Sequence, residues 1–226
     1  MRGYHFYTFS EFDLPQGWNS ERLSDESTEP ELVVGEPSRP GAPFIAAHAV
    51  HYYMPREDSI RAGGRLYDRF ERRVIGDIWL AGHYAMLEIV DPPIHAIAKI
   101  LDSIDGVTWQ RLVIPKLKMI DSTFPTKTGR QVDNPTNPDR RNVFVFGDDV
   151  ANDPTNQAEV ASGEVRMVQF GTTGETARVF DTATVLLMSN YADDLAAARA
   201  AWYVWTTYLA PHAVPYRHNW RKALAG

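Results

Sequence analysis

Histidine is the residue type in this sequence best suited to binding a metal ion or moving a proton near neutral pH. The chain has seven histidines, of which His48 and His51 are separated by two residues and His83 lies further along. Three imidazoles could form a metal site. The segment around His48 and His51 is predicted to be a β-strand, however, and strand positions three apart point to opposite faces. We therefore predict no metal site and no cofactor.

A pocket of histidine and tyrosine side chains is the alternative use for these residues. His48, His51, Tyr52 and His83 would lie at one end of the predicted sheet and line the pocket of a small-molecule enzyme or ligand-binding domain. The chain contains neither the Gly-x-Ser-x-Gly elbow of a serine hydrolase nor the Gly-x-Gly-x-x-Gly turn of a dinucleotide-binding unit. We accordingly predict no catalytic residues, and an enzyme is the second hypothesis.

Two loops only partly match known ligand-binding patterns. Residues 148–156 are rich in Asp and Asn but lack the alternating acidic order and the closing glutamate of an EF-hand. This composition predicts a turn whose side chains bond their own backbone. Residues 171–176 contain two glycines, but Glu175 stands where a phosphate-binding loop needs lysine. This second loop is predicted to join two strands.

Arginines recur at helical spacing in residues 57–73. Arg61, Arg65, Arg69 and Arg72 are separated by four, four and three positions, which would align them along one face of a helix. Acidic residues four positions earlier would pair with part of this stripe, as on an ordinary solvated face. The stripe could instead dock on an acidic partner or on a phosphate backbone. Arg61, Arg65 and Arg69 are therefore candidate interface residues.

The last predicted helix carries the strongest interface signal. Trp202 and Trp205 lie on an apolar stripe that would cover a sheet, and Tyr208, which lies on another face, makes the second half of the helix apolar on nearly all sides. An exposed patch of this kind usually marks a partner surface. Trp220, in a tail of cations and aromatics, extends the set. Alternatively, the chain's own tail or N-terminal arm covers the second face of this helix.

Composition and charge bound the function classes. The 226 residues are 44% hydrophobic and 23% charged, which is typical of a folded domain. The net charge of -6 disfavours nucleic-acid binding except through local basic patches. The chain has no cysteine, so disulfides and thiolate chemistry are excluded. It shows neither a signal peptide nor a membrane-spanning apolar run, so we expect a virion or cytoplasmic location.

The predicted elements describe one α+β domain over residues 1–226. Apolar runs predict strands around 44–54, 74–80, 84–90, 107–114, 142–147, 164–170 and 177–189. Residues 94–103 have helical spacing between two strands, which predicts a βαβ unit. A final helix begins near Asn190 and ends before Pro211. We expect a mixed sheet carrying two packed helices, in roughly a ferredoxin-like order.

Three polar segments frame this domain. Residues 13–43 and 121–163 are rich in proline, acidic residues, Ser, Thr and Asn, and residues 211–226 form a C-terminal tail. Long loops of this kind are usually functional, and neighbouring subunits can order them. Our first hypothesis is therefore a non-enzymatic assembly protein that forms a symmetric homo-oligomer or joins other assembly subunits through these arms and the last helix. The setting that we expect is a virion, as a tailed-phage capsid-associated or head–tail connecting protein.

Overall fold

A computed structural model describes the following residues: 2–9, 31–37, 45–53, 60–67, 72–89, 108–115, 117–120, 123–125, 127–134, 142–148, 150–172 and 175–217. These residues are mostly antiparallel β-strands with a small number of helices, which places the fold broadly in the predicted α+β class. They form two compact units. The first unit draws on Met1–Phe6 and Gln110–Gly226, and the second on Tyr7–Trp109.

The first unit is built on an antiparallel sheet. Its strands are β1 (Arg2–Phe9), β8 (Trp109–Val113), β9 (Lys127–Asp133), β10 (Asn142–Phe146), β11 (Glu164–Thr172), β12 (Glu175–Phe180), β13 (Thr184–Leu187) and β14 (Val214–Pro215). Six of them follow the hydrogen-bonded order β10-β9-β11-β12-β13-β1, and β14 pairs with β8. Along β12, buried Ala177 and Val179 alternate with partly exposed Thr176 and Arg178, so one face of this sheet is core and the other is open.

Helical segments cover the core face. They are α1 (Leu117–Ile120), α2 (Pro154–Ser162), α3 (Asp194–Val204), a π-helix (Trp205–Leu209) and a 3-10 turn (Ala210–His212). The Asp193 carboxylate accepts the backbone N–H of Ala196 at 2.7 Å and so caps α3. The π-helix continues α3 directly, and Trp205 and Leu209 within it are fully buried. The last helix is therefore present as predicted, with a wider final turn.

The second unit contains the other strands. They are β2 (Glu31–Pro37), β3 (Ile45–Tyr53), β4 (Ile60–Ala62), β5 (Arg65–Tyr67), β6 (Arg72–Ala81) and β7 (Tyr84–Ile89). Strands β7, β6, β3 and β2 follow one another in the sheet, and β4 pairs with β5 alone. Gly82 has φ +58 in the turn between β6 and β7, so the predicted hairpin is present.

The predicted helix over residues 57–73 is wrong. Ile60–Ala62 and Arg65–Tyr67 form a tight antiparallel hairpin, and Arg72 begins β6. Gly63 and Gly64 between the two short strands have φ +57 and +77, the left-handed region that a two-residue turn requires and glycine adopts readily. The arginine stripe therefore loses the helical face on which the interface argument depended.

The predicted polar excursion 121–163 contains more regular structure than expected. Strand β9 pairs with both β10 and β11, and α2 follows β10. The predicted N-terminal arm likewise includes β2. Strands β7 and β8 are the strands of the predicted βαβ unit, but its helix over 94–103 lies outside the described residues. None of the helices in the described ranges has the length and apolar character needed to cross a membrane.

Candidate assembly interface

Strand β10 lies at one end of the sheet of the first unit. It pairs residue by residue with β9, from Asn142 opposite Asp133 to Phe146 opposite Gly129, with no bulge. In the part of the chain that the structure describes, no second strand pairs with β10. Its five residues carry no charge, and four of them are Val or Phe, which have high β-propensity. The strand is therefore an uncharged, mostly apolar edge.

The side chains of β10 are unusually exposed for their type. Phe144 and Phe146 retain 56% and 51% of their accessible surface, whereas Val143 and Val145 are half-buried. This alternation places Asn142 and both phenylalanines on the open face of the sheet. Two large aromatic rings thus lie side by side on the outermost strand.

The backbone of β10 has a defined hydrogen-bonding phase. The Gly147 N–H donates to the carbonyl of Thr128 at 3.1 Å, directly across from it in the same register. Hydrogen-bonded and non-hydrogen-bonded pairs alternate along an antiparallel ladder. Val145 and Val143 therefore bond to β9, and the N–H and C=O groups of Asn142, Phe144 and Phe146 point away from β9 at the free edge.

A row of side chains crosses the open face from β10 inward. The strand registers align Phe146, Gly129, Gln169 and Arg178 across four neighbouring strands. A Cβ at Gly129 would lie 2.6 Å from the Phe146 ring, so this ring rests on a position that only glycine leaves open. The Arg178 guanidinium lies 5.3 Å from the ring centroid and its Nε donates to the Gln169 side chain at 2.6 Å. The exposed ring is thus held in place from below and from one side.

An ion-pair cluster lies further along the same face. Arg166 donates to the Asp133 and Asp181 carboxylates at 3.2 Å each, and these residues line an open cleft of about 440 Å³. Asn142 of β10 lines the cleft and accepts the side-chain amide of Gln131 at 3.1 Å. One guanidinium holds both carboxylates, an arrangement that links β11 to β9 and to the turn between β12 and β13. In the ranges that the structure describes, no three histidine or acidic side chains form a metal-ligand cluster.

His5 is the most strongly perturbed titratable group described in the first unit. Its Nδ1 lies 2.7 Å from the Thr184 hydroxyl, which lies 3.0 Å from that of Thr182. Burial, and to a smaller extent the Arg111 cation, lowers the pKa of His5 from 6.5 to about 4. The imidazole is therefore neutral at pH 7. The sequence offered no signal for this site, because a histidine in an N-terminal aromatic segment is not distinctive.

The aromatic interface candidates occupy different environments. Trp205 is fully buried and stacks on Phe6, so it contributes no surface to an interface in the folded unit and its assignment is corrected to the core. Tyr208 is half-buried, with its ring 5.2 Å from that of Phe124 and 5.4 Å from that of Phe170. Trp202 is half-buried on α3, and Trp220 lies outside the described residues.

The arginine and histidine candidates within the described residues lie on strands and in a turn of the second unit. Arg61 and Arg65 lie on the two strands of the β4–β5 hairpin, and Arg69 falls outside the described residues. The residues His48, His51 and Tyr52 lie on β3, so this segment is a strand as predicted. His83 is exposed in the β6–β7 turn, beyond Leu80, whose register partner is Ile45. Six residues of strand, about 20 Å, separate Ile45 from His51, so the predicted pocket is spread along β3.

The oxygen-rich loop at residues 148–156 forms a helix cap. Asp153 accepts the backbone N–H of Asn156 at 2.7 Å at the start of α2. The buried Asn156 amide donates to the Val150 carbonyl at 2.5 Å. The prediction that these side chains bond nearby backbone is confirmed.

The sequence located β10 but not its position at the edge of the sheet. Residues 142–147 were predicted as a short strand, but only the sheet order makes this strand an edge. The available signal was an uncharged alternation of Val and Phe bounded by Arg140 and Arg141 on one side and by Asp148 and Asp149 on the other. We compared the sequence with protein-family models and with curated proteins, and neither comparison gives a match.

Proposed function

We propose that the protein is a non-enzymatic assembly subunit that associates with further copies of itself through β10 and the open face beside it. The observation that carries this proposal is the pair of half-exposed rings, Phe144 and Phe146, on a strand that, among the described residues, pairs on one side only. Rings in this position lose apolar surface to water when a partner strand adds to the edge. The edge also supplies backbone groups that a second chain can satisfy.

The composition of β10 supports association of another chain with this edge. Monomeric proteins usually protect such edges with lysine, proline, a bulge or a very short strand, because an unprotected edge recruits other chains. β10 has none of these devices within its five residues. The ring of Phe146 is fixed by Gly129 and Arg178, so its exposure is part of the folded structure and carries little ordering cost on association.

The finer parts of the hypothesis stay predictions from the sequence. They are a ferredoxin-like order of elements, a virion setting such as a tailed-phage capsid-associated or head–tail connecting component, and a contribution of the polar arms to assembly. Tyr208 and Trp202 stay candidate contacts with other subunits, as do Arg61, Arg65, Arg69 and Trp220. The cleft at Arg166 does not favour an enzyme, because its two carboxylates are bound to one guanidinium.

Light scattering coupled to size exclusion tests the proposal. The wild-type protein is expected to elute at micromolar concentration with a mass of two or more 25.5 kDa subunits. Replacing Phe144 and Phe146 together with lysine is expected to shift the mass to that of one subunit, because the edge then carries charge. The matched control is Tyr203→Lys, which changes a 59% exposed ring on α3. A wild-type protein that stays monomeric over the whole concentration range contradicts the proposal.

A further inference from the structure

We infer that two copies of this chain pair through their β10 strands in antiparallel orientation, with Phe144 of one copy opposite Phe144 of the other. This inference deepens the proposed function and rests on it. The occupant of the free edge is therefore a second β10, and the interface is isologous. The resulting dimer has one continuous sheet across both first units.

The hydrogen-bonding phase of β10 allows this pairing. Asn142, Phe144 and Phe146 present their N–H and C=O groups at the free edge, because Val143 and Val145 bond to β9. In a two-fold pair centred on Phe144, each Phe144 exchanges two hydrogen bonds with its counterpart. Asn142 of each copy exchanges two with Phe146 of the other. All outward-pointing groups of the five-residue strand are then satisfied.

Symmetry and strand length select the register. With a two-fold axis perpendicular to the sheet, the numbers of any two residues that lie opposite each other add up to the same total. This total must be even, because side chains directly opposite each other lie on the same face of the sheet. Centring on Phe144 is the choice that pairs all five residues of β10 with all five of the second copy. A shift of the centre by one residue leaves one end of each strand unpaired.

Charge complementarity argues for a second copy in antiparallel orientation. Arg140 and Arg141 precede β10 in the sequence, and Asp148 and Asp149 follow it. In an antiparallel pair centred on Phe144, the start of each β10, which follows the arginines in the sequence, lies beside the end of the other β10, which the aspartates follow. A parallel, in-register pair would set arginine beside arginine and aspartate beside aspartate, which is unfavourable. The uncharged centre with opposite charges at its ends is thus complementary to itself.

The side chains on the open face fit the same arrangement. The two Phe144 rings become cross-strand neighbours at the axis, and each Phe146 lies opposite an Asn142. Cross-strand aromatic pairs stabilise antiparallel sheets. The pairing therefore shields the most exposed ring of β10 without moving Phe146 from its position on Gly129.

Disulfide trapping tests the register, because the natural chain has no cysteine. Phe144→Cys is expected to form a covalent dimer under mild oxidation, since directly opposed Cα atoms lie about 5.5 Å apart. A mixture of Asn142→Cys and Phe146→Cys proteins is expected to cross-link. Asn142→Cys alone is not, because two copies of this position are about 13 Å apart in the proposed register. The control is Thr176→Cys on the open face of β12.

A charge exchange tests the same register without altering the rings. Asp148→Arg is expected to weaken dimerisation by about two- to tenfold, because two exposed cation pairs replace two ion pairs. Combining it with Arg140→Asp is expected to restore the wild-type dissociation constant. The weakening should shrink in high salt.

The outcomes separate the inference from the proposed function. A monomeric wild-type protein overturns both. A protein that self-associates but cross-links through Asn142→Cys alone, or fails to cross-link through Phe144→Cys, overturns the register and leaves self-association standing. If Phe144→Cys does not self-associate under reducing conditions, the charge exchange decides instead. Failure of Arg140→Asp to restore the dissociation constant of Asp148→Arg then overturns the inference. If β10 instead pairs with an extended segment of another copy, Phe144→Cys will cross-link only to a cysteine placed in that segment. That result overturns the register.

Discussion

Trp205 stacks face to face on Phe6, with ring centroids 4.2 Å apart and an angle of 8° between the planes. This contact joins the π-helix to the first strand of the chain, and both rings are fully buried. A stacked aromatic pair of this size is a main anchor of the core of the first unit. It defines where destabilising substitutions should be most severe.

Trp205→Ala is expected to lower the free energy of unfolding by about 3–5 kcal/mol, because the removed ring leaves a cavity against Phe6. Urea denaturation followed by circular dichroism measures the change. The control is Tyr203→Ala two positions earlier, which should change stability by less than about 0.5 kcal/mol because its ring is exposed. Equal losses for the two variants would contradict the assignment of Trp205 to the core.

Tyr208→Ala is expected to destabilise the subunit by about 1–3 kcal/mol, since its ring contacts the buried rings of Phe124 and Phe170. The sequence also makes Tyr208 a candidate interface residue. Thermal unfolding and oligomer mass, measured on the same preparation, separate the two roles. A variant with unchanged melting temperature and reduced mass would return Tyr208 to the interface.

Arg166→Met is expected to lower the free energy of unfolding by about 3 kcal/mol, because Asp181, 5% exposed at its side chain, loses its ion-pair partner. Asp133→Asn should cost less, because the Asp133 side chain is 34% exposed to water. Chemical denaturation measures both changes. Arg199→Met, at an exposed arginine of α3, serves as the control. A neutral Arg166→Met would show that the cluster contributes no stability.

Stability is expected to fall as the pH drops from 7.5 to 5.5. The folded-state pKa of His5 is about 4 against 6.5 in the unfolded chain, so the unfolded state binds more protons in this window. The His5 contribution is fully present above pH 6.5 and is lost progressively down to pH 4. At pH 5.5 the loss is on the order of 1.4 kcal/mol.

Urea titrations of the wild type and of His5→Gln at pH 7.5 and 5.5 isolate this effect. The difference between the two pH values should be smaller in the variant by that amount, whatever the variant's absolute stability. The Thr184 hydroxyl bonded to His5 is retained in both proteins, which keeps the comparison local. Identical pH dependence in the two proteins would contradict the assignment.

Elements defined by local sequence patterns were predictable, but strand pairing and burial, which depend on residues distant in the sequence, were not. The β6–β7 hairpin and the last helix followed from turn residues and helical spacing, but the helix begins after the Asp193 cap and not near Asn190. Strand β9 was missed because Gly129 and Gln131 give it a polar face with weak β-propensity, and pairing with two neighbours decides its conformation. The 3.6-residue spacing placed Trp205 on the stripe that covers the sheet, and the structure buries it there; it was wrongly counted as an interface candidate because aromatic residues occupy nearly every side of this part of the helix.

The position of β10 at the edge of the sheet also could not be predicted from the sequence. The sequence contains the uncharged strand and its bounding charges, but an apolar strand is equally compatible with a buried position in a sheet. Only the sheet order assigns β10 to the outside, with Phe144 facing water.

The pairing of β1 with β13 also has a consequence during synthesis. Arg2–His5 hydrogen-bond to the segment Thr184–Leu187, so β1 is synthesised about 180 residues before the strand with which it pairs. At roughly 5–20 residues per second, the ribosome needs about 10–40 s to extend the chain between these two strands. Through that interval Tyr4 and Phe6, which are fully buried in the finished unit, have no β13 to pair with. Nascent chains are therefore expected to depend on a holding chaperone until the C-terminal half emerges, and a fragment that begins at Gln110 should require the first strand as a separate peptide to fold.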